Sequence, residues 1–229
     1  MFLDTLLNLI FPSTCLSCRK RQKSGGVICE QCLAGAKINE TLFCGKCGAR
    51  LPSNRKECHK DFPYLLGAAT DYGEETVKNL VHNFKFKCLR AAAEPLAKLL
   101  IRYAENLRIP FTDYLVIPIP LSGKRLRERG FNQSELIAKI FALHFGLPME
   151  TKNFLRTKNT KAQSETKNLA ERKENVRGSF VVKNTTNISG KNIILVDDVT
   201  TSGATFFEAA FALKSAGAKK VIALAVARA

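Results

Sequence analysis

The sequence predicts an α/β fold: a mostly parallel sheet flanked by helices, preceded by a small cysteine-rich module. From residue 64 onward, short apolar runs alternate with helical stretches, the pattern of strands joined by crossover helices. Seven of the eight cysteines lie between positions 15 and 58 in a repeated spacing. Just past Asp61 the composition turns apolar, so the expected division is 1–63 for the module and 64–229 for the sheet domain. A chain of 229 residues with 45% hydrophobic content can bury one ordinary α/β core and leave roughly 60 residues for a small module.

The opening MFLDTLLNLIFP places Phe2, Leu3, Leu6, Leu7, Ile10 and Phe11 at helical spacing, with Pro12 closing the segment. It reads as a short amphipathic helix. As an export signal it fails, because Asp4 stands where a basic leader belongs, the apolar run is short and no small-residue cleavage site follows. No apolar stretch reaches the ~20 residues that a membrane span needs, so no transmembrane segment and a cytoplasmic location are expected.

Cysteines in such a compartment stay reduced, and their spacing then points to metal. Cys15, Cys18, Cys29 and Cys32 form C-x2-C-x10-C-x2-C, a complete set for tetrahedral zinc. Cys44, Cys47 and Cys58 repeat the pattern 29 residues later, with Asp61 where a fourth cysteine would fall. The second site can be completed by Asp61, completed by His59, or left empty. The repeat favours two sequential sites over a cross-braced pair. A full shell of four cysteines leaves no open position, so the expected role is structural. Cys88, outside the repeat, reads as a packed residue.

In the second region LLGAATDYG is the first strand, 74–87 and 92–106 are helices, DYLVIPIP is a buried strand and 132–145 an amphipathic helix. GSFVV, NIILVDD and KVIALAVAR are further strands, with a helix over 205–216 between the last two. After DYLVIPIP comes LSGKRLRERGFNQ, read as a loop whose Lys124, Arg125, Arg127 and Arg129 can grip a diphosphate. Residues 156–177 are polar and poor in apolar side chains, the composition of a lid or a solvated excursion.

The stretch NIILVDDVTTSGAT carries the most chemistry. Its apolar run suits a strand covered on both faces and ends in Asp197 and Asp198, at the carboxyl edge where open α/β sheets bind ligands. Thr200, Thr201, Ser202, Gly203, Ala204 and Thr205 then turn into a helix, converging backbone N–H groups, hydroxyls and the helix dipole on one anion-sized spot. The P-loop and dinucleotide fingerprints do not fit. The formal charge of +16 and pI near 9.7 favour a polyanionic partner.

The segment resembles the signature of type I phosphoribosyltransferases. In the whole chain, the LIFP-x2-CLSC opening, the paired knuckles, LVHNFKFK, RGFNQ and VDDVTTSGAT resemble the ComF family (ComFC/GntX-like), which joins an N-terminal zinc module to a phosphoribosyltransferase-like domain. By that resemblance Asp197 and Asp198 hold the ribose hydroxyls of phosphoribosyl pyrophosphate (PRPP), and Thr201 to Thr205 cradle its 5′-phosphate. Lys85 matches a lysine of the family's first core helix. Arg129, Gly130, Phe131, Asn132 and Gln133 match its RGFNQ, while Gln163, Arg172 and Asn175 match positions of its hood.

The family implies two readings. In one the protein binds PRPP or a related ribose phosphate and handles single-stranded DNA during natural transformation, with the DNA-translocating helicase of the competence machinery as a partner and the zinc module and the basic residues Arg125, Arg127 and Arg129 as the DNA contacts. In the other it is an active transferase, using magnesium with PRPP, Asp197 and Asp198 at the ribose, and Lys124, Arg125 or Arg129 on the leaving diphosphate, with an unidentified nitrogen acceptor. Stacking should be modest, since the chain has no tryptophan, four tyrosines and 15 phenylalanines that mostly read as core; Phe84, Phe86 and Phe131 lie near positive charge.

Overall fold

A computed structural model describes residues 13–22, 26–52, 58–158 and 176–229. The amphipathic segment 2–11 and the hood positions Gln163, Arg172 and Asn175 lie outside the described residues.

Four parallel strands form the centre of the main sheet: β3 (Leu65–Asp71), β8 (Lys220–Arg228), β7 (Asn192–Thr200) and β4 (Tyr114–Pro118), in that spatial order. β7 and β8 are near-continuous apolar runs because both of their faces are covered. One face packs against α2 (Glu75–Phe86), α3 (Ala93–Asn106) and α5 (Gln133–Phe145), burying Leu80, Phe84, Leu96, Leu100, Ile137 and Phe141. The other packs against α6 (Ala204–Ser215) through Phe206, Ala209, Ala210 and Leu213.

The cysteine module is not a separate bead. Its strand β1 (Leu42–Cys44) pairs antiparallel with β3, Phe43 opposite Leu66 and Cys44 opposite Leu65, and β2 (Arg50–Leu51) extends the same sheet. The first cysteine turn and α1 (Glu30–Gly35) sit on the helical side, where Arg102 donates to the carbonyl of Leu33 at 3.0 Å and Leu16, Ile28 and Leu33 pack against the core.

Three sequence expectations change. The basic stretch after β4 is a helix, α4 (Gly123–Arg129), because Ser122 caps its start by accepting from the Arg125 N–H and Gly130 ends it at φ 72°, the left-handed conformation glycine adopts without penalty. GSFVV does not join the main sheet: β6 (Phe180–Val182) pairs with β5 (Phe154–Arg156) in a separate antiparallel ribbon, with Phe154 and Phe180 stacked at 5.3 Å. Cys88 is exposed at positive φ and not packed.

Candidate functional site

The pocket exists because β7 outruns its neighbour. β4 ends at Pro118 opposite Val196, whereas β7 continues to Thr200 alongside β8. From Asp197 onward one edge of β7 therefore faces open space, and a cavity of about 290 Å³ forms there. The acidic pair lies inside the strand and not at its end, where the apolar run alone would place it.

Each wall has a local cause. Asn132 accepts from the Ser134 N–H and donates to the Ile119 carbonyl, fixing the start of α5 beside the end of β4. Ser134 then donates to Asp197 Oδ1 at 2.7 Å. Lys85, in the last turn of α2, brings Nζ to 2.9 Å from Asp198 Oδ1. Arg125 and Arg129, one helical turn apart on α4, line the opposite side, and Arg129 donates to Gln133 Oε1 at 3.0 Å. Thr201 and Thr205 close the floor at the start of α6, where Gly203 holds φ 73° under the hydroxyl of Tyr64.

The electrostatics suit a polyanionic ligand. Burial, then the adjacent Asp198 charge, push the Asp197 carboxyl up to about 7, against the opposing pull of Lys85 and the Ser134 hydrogen bond. Arg156 is brought down to about 10 by burial and by the Arg125 guanidinium, so it keeps its charge at neutral pH. Arg156 and Arg125 thus face one cavity as crowded cations, an arrangement that a multiply charged anion relieves.

The structure brings Lys85, Arg125, Arg129, Asp197, Asp198, Thr201 and Thr205 around one cavity, and adds Tyr72, Phe86, Gln133, Ser134 and Arg156. Lys124, Arg127, Thr200, Ser202, Gly203 and Ala204 do not line it. Lys124 is exposed, 3.9 Å from Glu128, and Thr200 is a buried strand residue. Ser202 accepts locally from the Ala204 N–H. Arg156 carried no local signal in the sequence, since β5 delivers it from a distant segment.

Two cysteine clusters complete the picture. The ligand atoms of Cys15, Cys18, Cys29 and Cys32 lie within 4.8 Å of one another, as do those of Cys44, Cys47, Cys58 and His59. His59, not Asp61, is the fourth member of the second: its Nδ1 lies 3.0 Å from Cys58 Sγ and 3.3 Å from Cys44 Sγ, while Asp61 falls beyond in the exposed turn. A histidine beside the third cysteine reaches the centre without the C-x2-C turn that the repeat led one to expect. Cys58 is pushed up to about 12 by the thiols of Cys44 and Cys47, crowding that a bound cation would relieve. Sulfur and imidazole in fours are the donor set of structural zinc.

Among known proteins, the double zinc ribbon domain matches residues 6–61 and the phosphoribosyl transferase domain residues 132–229. A DNA utilization protein YhgH of Escherichia coli O6:H1 is 29% identical over 225 residues, spanning 93% of this chain and 96% of its own. Competence protein F of Haemophilus influenzae is 26% identical, spanning 96% and 98%, and competence protein ComFC of Bacillus subtilis 29%, spanning 89% and 78%. A solved glutamine phosphoribosylpyrophosphate amidotransferase from B. subtilis overlays 60% of this chain and 26% of its own at TM-score 0.39 and 20% identity, too loose an overlay to bear on the chemistry. With a double zinc ribbon ahead of a phosphoribosyltransferase domain, and the RGFNQ and VDDVTTSGAT segments both contributing to one cavity, the chain is similar over most of its length to competence protein F and ComFC.

Proposed function

We propose that the cavity binds phosphoribosyl pyrophosphate or a closely related ribose phosphate. One observation carries the reading: the Asp197 and Asp198 carboxylates share a cavity with Lys85, Arg125, Arg129 and Arg156, so acceptors for sugar hydroxyls stand opposite cations for phosphate. Asp197 and Asp198 accept from the vicinal ribose hydroxyls, Thr201 and Thr205 donate to the 5′-phosphate, and Arg125, Arg129 and Arg156 receive the diphosphate. The same oxygen donors and a diphosphate suit magnesium, which supplies charge neutralisation when bound. The domain division 1–63 and 64–229 remains our reading, with the ribbons' cysteines and His59 as zinc ligands.

Calorimetric titration of Mg²⁺ and PRPP into wild type and an Asp197→Asn, Asp198→Asn double variant tests this. Binding is expected in wild type and lost in the variant. A folded, zinc-loaded wild type that takes no PRPP would sink the reading.

The relatives' names, competence protein F and DNA utilization protein, support a role in DNA uptake, and the charge of +16 suits single-stranded DNA as a partner. Of the contacts expected for it, Arg125 and Arg129 belong to the cavity, which leaves Arg127 on the outer face of α4. A DNA-translocating helicase is the partner this role implies. Transfer to a nitrogen acceptor is the second reading. Tyr72 and Phe86 favour it, since they give the cavity aromatic walls against which a flat acceptor can rest. Base-dependent release of pyrophosphate would mark it.

A further inference from the structure

Beside the second metal cluster lies a basic hollow that the ribose phosphate site does not use. Lys60, Lys214, Lys219 and Lys220 line a cavity of about 330 Å³ against Cys44, Cys58 and His59, and among the described residues no carboxylate lines it. Phe62 forms part of the same wall. From Phe62 a row of rings runs out along α6: Phe207 lies 5.4 Å away, and Phe211 stacks on Phe207 at 6.3 Å with the planes 19° apart.

Phe207 is 36% exposed and Phe211 57%. They sit on the outer face of α6, whose inner face already buries Phe206, Ala209, Ala210 and Leu213. Packing of the helix needs no aromatic there, and two rings left in water cost free energy. Phe211 and Lys214 are three residues apart on one helix, so they are surface neighbours, and the ring row and the lysine hollow form one continuous face.

Four lysines around one hollow, with the Lys214 ammonium held at its rim by the Lys219 carbonyl at 2.8 Å, call for closely spaced anions, and a flat row of rings calls for flat partners. A single-stranded nucleic acid supplies both on one chain, phosphates for the lysines and bases for the rings. An anionic membrane fits less well, because the lysines line a concavity and the rings stack along the helix surface. We propose that this face, comprising Lys60, Lys214, Lys219 and Lys220 with Phe62, Phe207 and Phe211, binds single-stranded nucleic acid. The proposal rests on the single-strand reading above and moves its main contact from α4 to the junction of the second ribbon and α6.

The test is fluorescence anisotropy of a labelled oligothymidylate about 20 nucleotides long with the zinc-loaded full chain over a range of salt. Phe207→Ala with Phe211→Ala should weaken binding about tenfold or more, the scale of at least one lost base stack. Lys214→Glu with Lys219→Glu should weaken it further and lower the salt slope by about 1.4, or about 0.7 for each lost phosphate contact. Zinc content and Mg²⁺–pyrophosphate affinity should match wild type in both variants, which shows that they fold. If wild type binds the oligonucleotide and both folded variants bind it equally well, the face is wrong while single-strand binding stands. If wild type binds no oligonucleotide even at low salt, the single-strand reading and this face fall together. Preferential association of wild type with phosphatidylglycerol vesicles, lost in the variants, would replace the nucleic acid with a membrane and overturn the proposal.

Discussion

The Lys85 ammonium lies 2.9 Å from the Asp198 carboxylate and is a cation that offsets two adjacent acids on one strand. Its charge favours ionisation of Asp197. Lys85→Met removes it, and the Asp197 midpoint then rises above about 7. PRPP affinity at neutral pH should fall by about tenfold, and its pH dependence should move to higher pH, as calorimetry across a pH series would show. Unchanged affinity at all pH values would remove Lys85 from the site.

Asp197 itself links function to stability with a definite sign. Its folded pKa is raised, so between the ordinary carboxylate range and about pH 7 the native protein holds a proton that the unfolded chain has lost. The stability this gives is present at low pH and disappears as pH rises through about 7. The melting temperature of Asp197→Asn should therefore match wild type only below about pH 4, and its advantage should widen by about 5 °C or more between pH 5 and pH 8, while the variant binds no PRPP. A variant less stable than wild type at the higher pH would contradict this.

Zinc stoichiometry separates the two candidates for the second site's fourth ligand. His59→Ala should reduce bound zinc, measured by atomic emission, from two ions per chain toward one, because Cys44, Cys47 and Cys58 lose the imidazole that closes their cluster. Asp61→Ala should keep both. The reverse pattern would return the ligand role to the aspartate.

Gln133 is 1% exposed and lines the pocket, yet its Nε2 has no hydrogen-bond partner among the described residues. The amide's orientation follows from chemistry: Arg129 can only donate, so the atom facing it is Oε1 and the remaining atom is a donor. A buried donor left unpaired costs about 1–3 kcal/mol, which a ligand oxygen would recover. Gln133→Glu keeps the acceptor for Arg129 and removes the donor. Pyrophosphate binding should weaken by about tenfold or more with the fold intact, and an unchanged affinity would leave Gln133 as packing only.

The parts legible in the sequence are those with a local period or spacing. Apolar runs marked β4, β7 and β8, and the C-x2-C pairs marked both clusters, because strand burial and turn geometry are written in neighbouring residues. What escaped depends on distant chain. Arg156 reaches the pocket on a ribbon whose partner strand begins at Phe180. The basic stretch reads as a loop because Leu126 is its one apolar side chain and no helical period shows, so the helix rests on the Ser122 cap and the Gly130 stop. Of the phenylalanines expected near positive charge, Phe84 and Phe131 are buried and only Phe86, at 63%, is exposed. Phe207 and Phe211 read as core since α6 carries apolar residues on more than one face, and composition does not say which face is covered.

Cys44 has two duties, as a metal-cluster residue and as the strand residue opposite Leu65. The ribbon's hairpin thereby lies along the outer edge of β3, shielding backbone groups that would otherwise be open to another chain. Metal loss would free that hairpin and leave a bare sheet edge, so chelation should show itself first as turbidity and oligomers. Zinc bound there would then guard solubility, and the yield of soluble protein from zinc-starved cells should fall as the pairing of one short strand is lost.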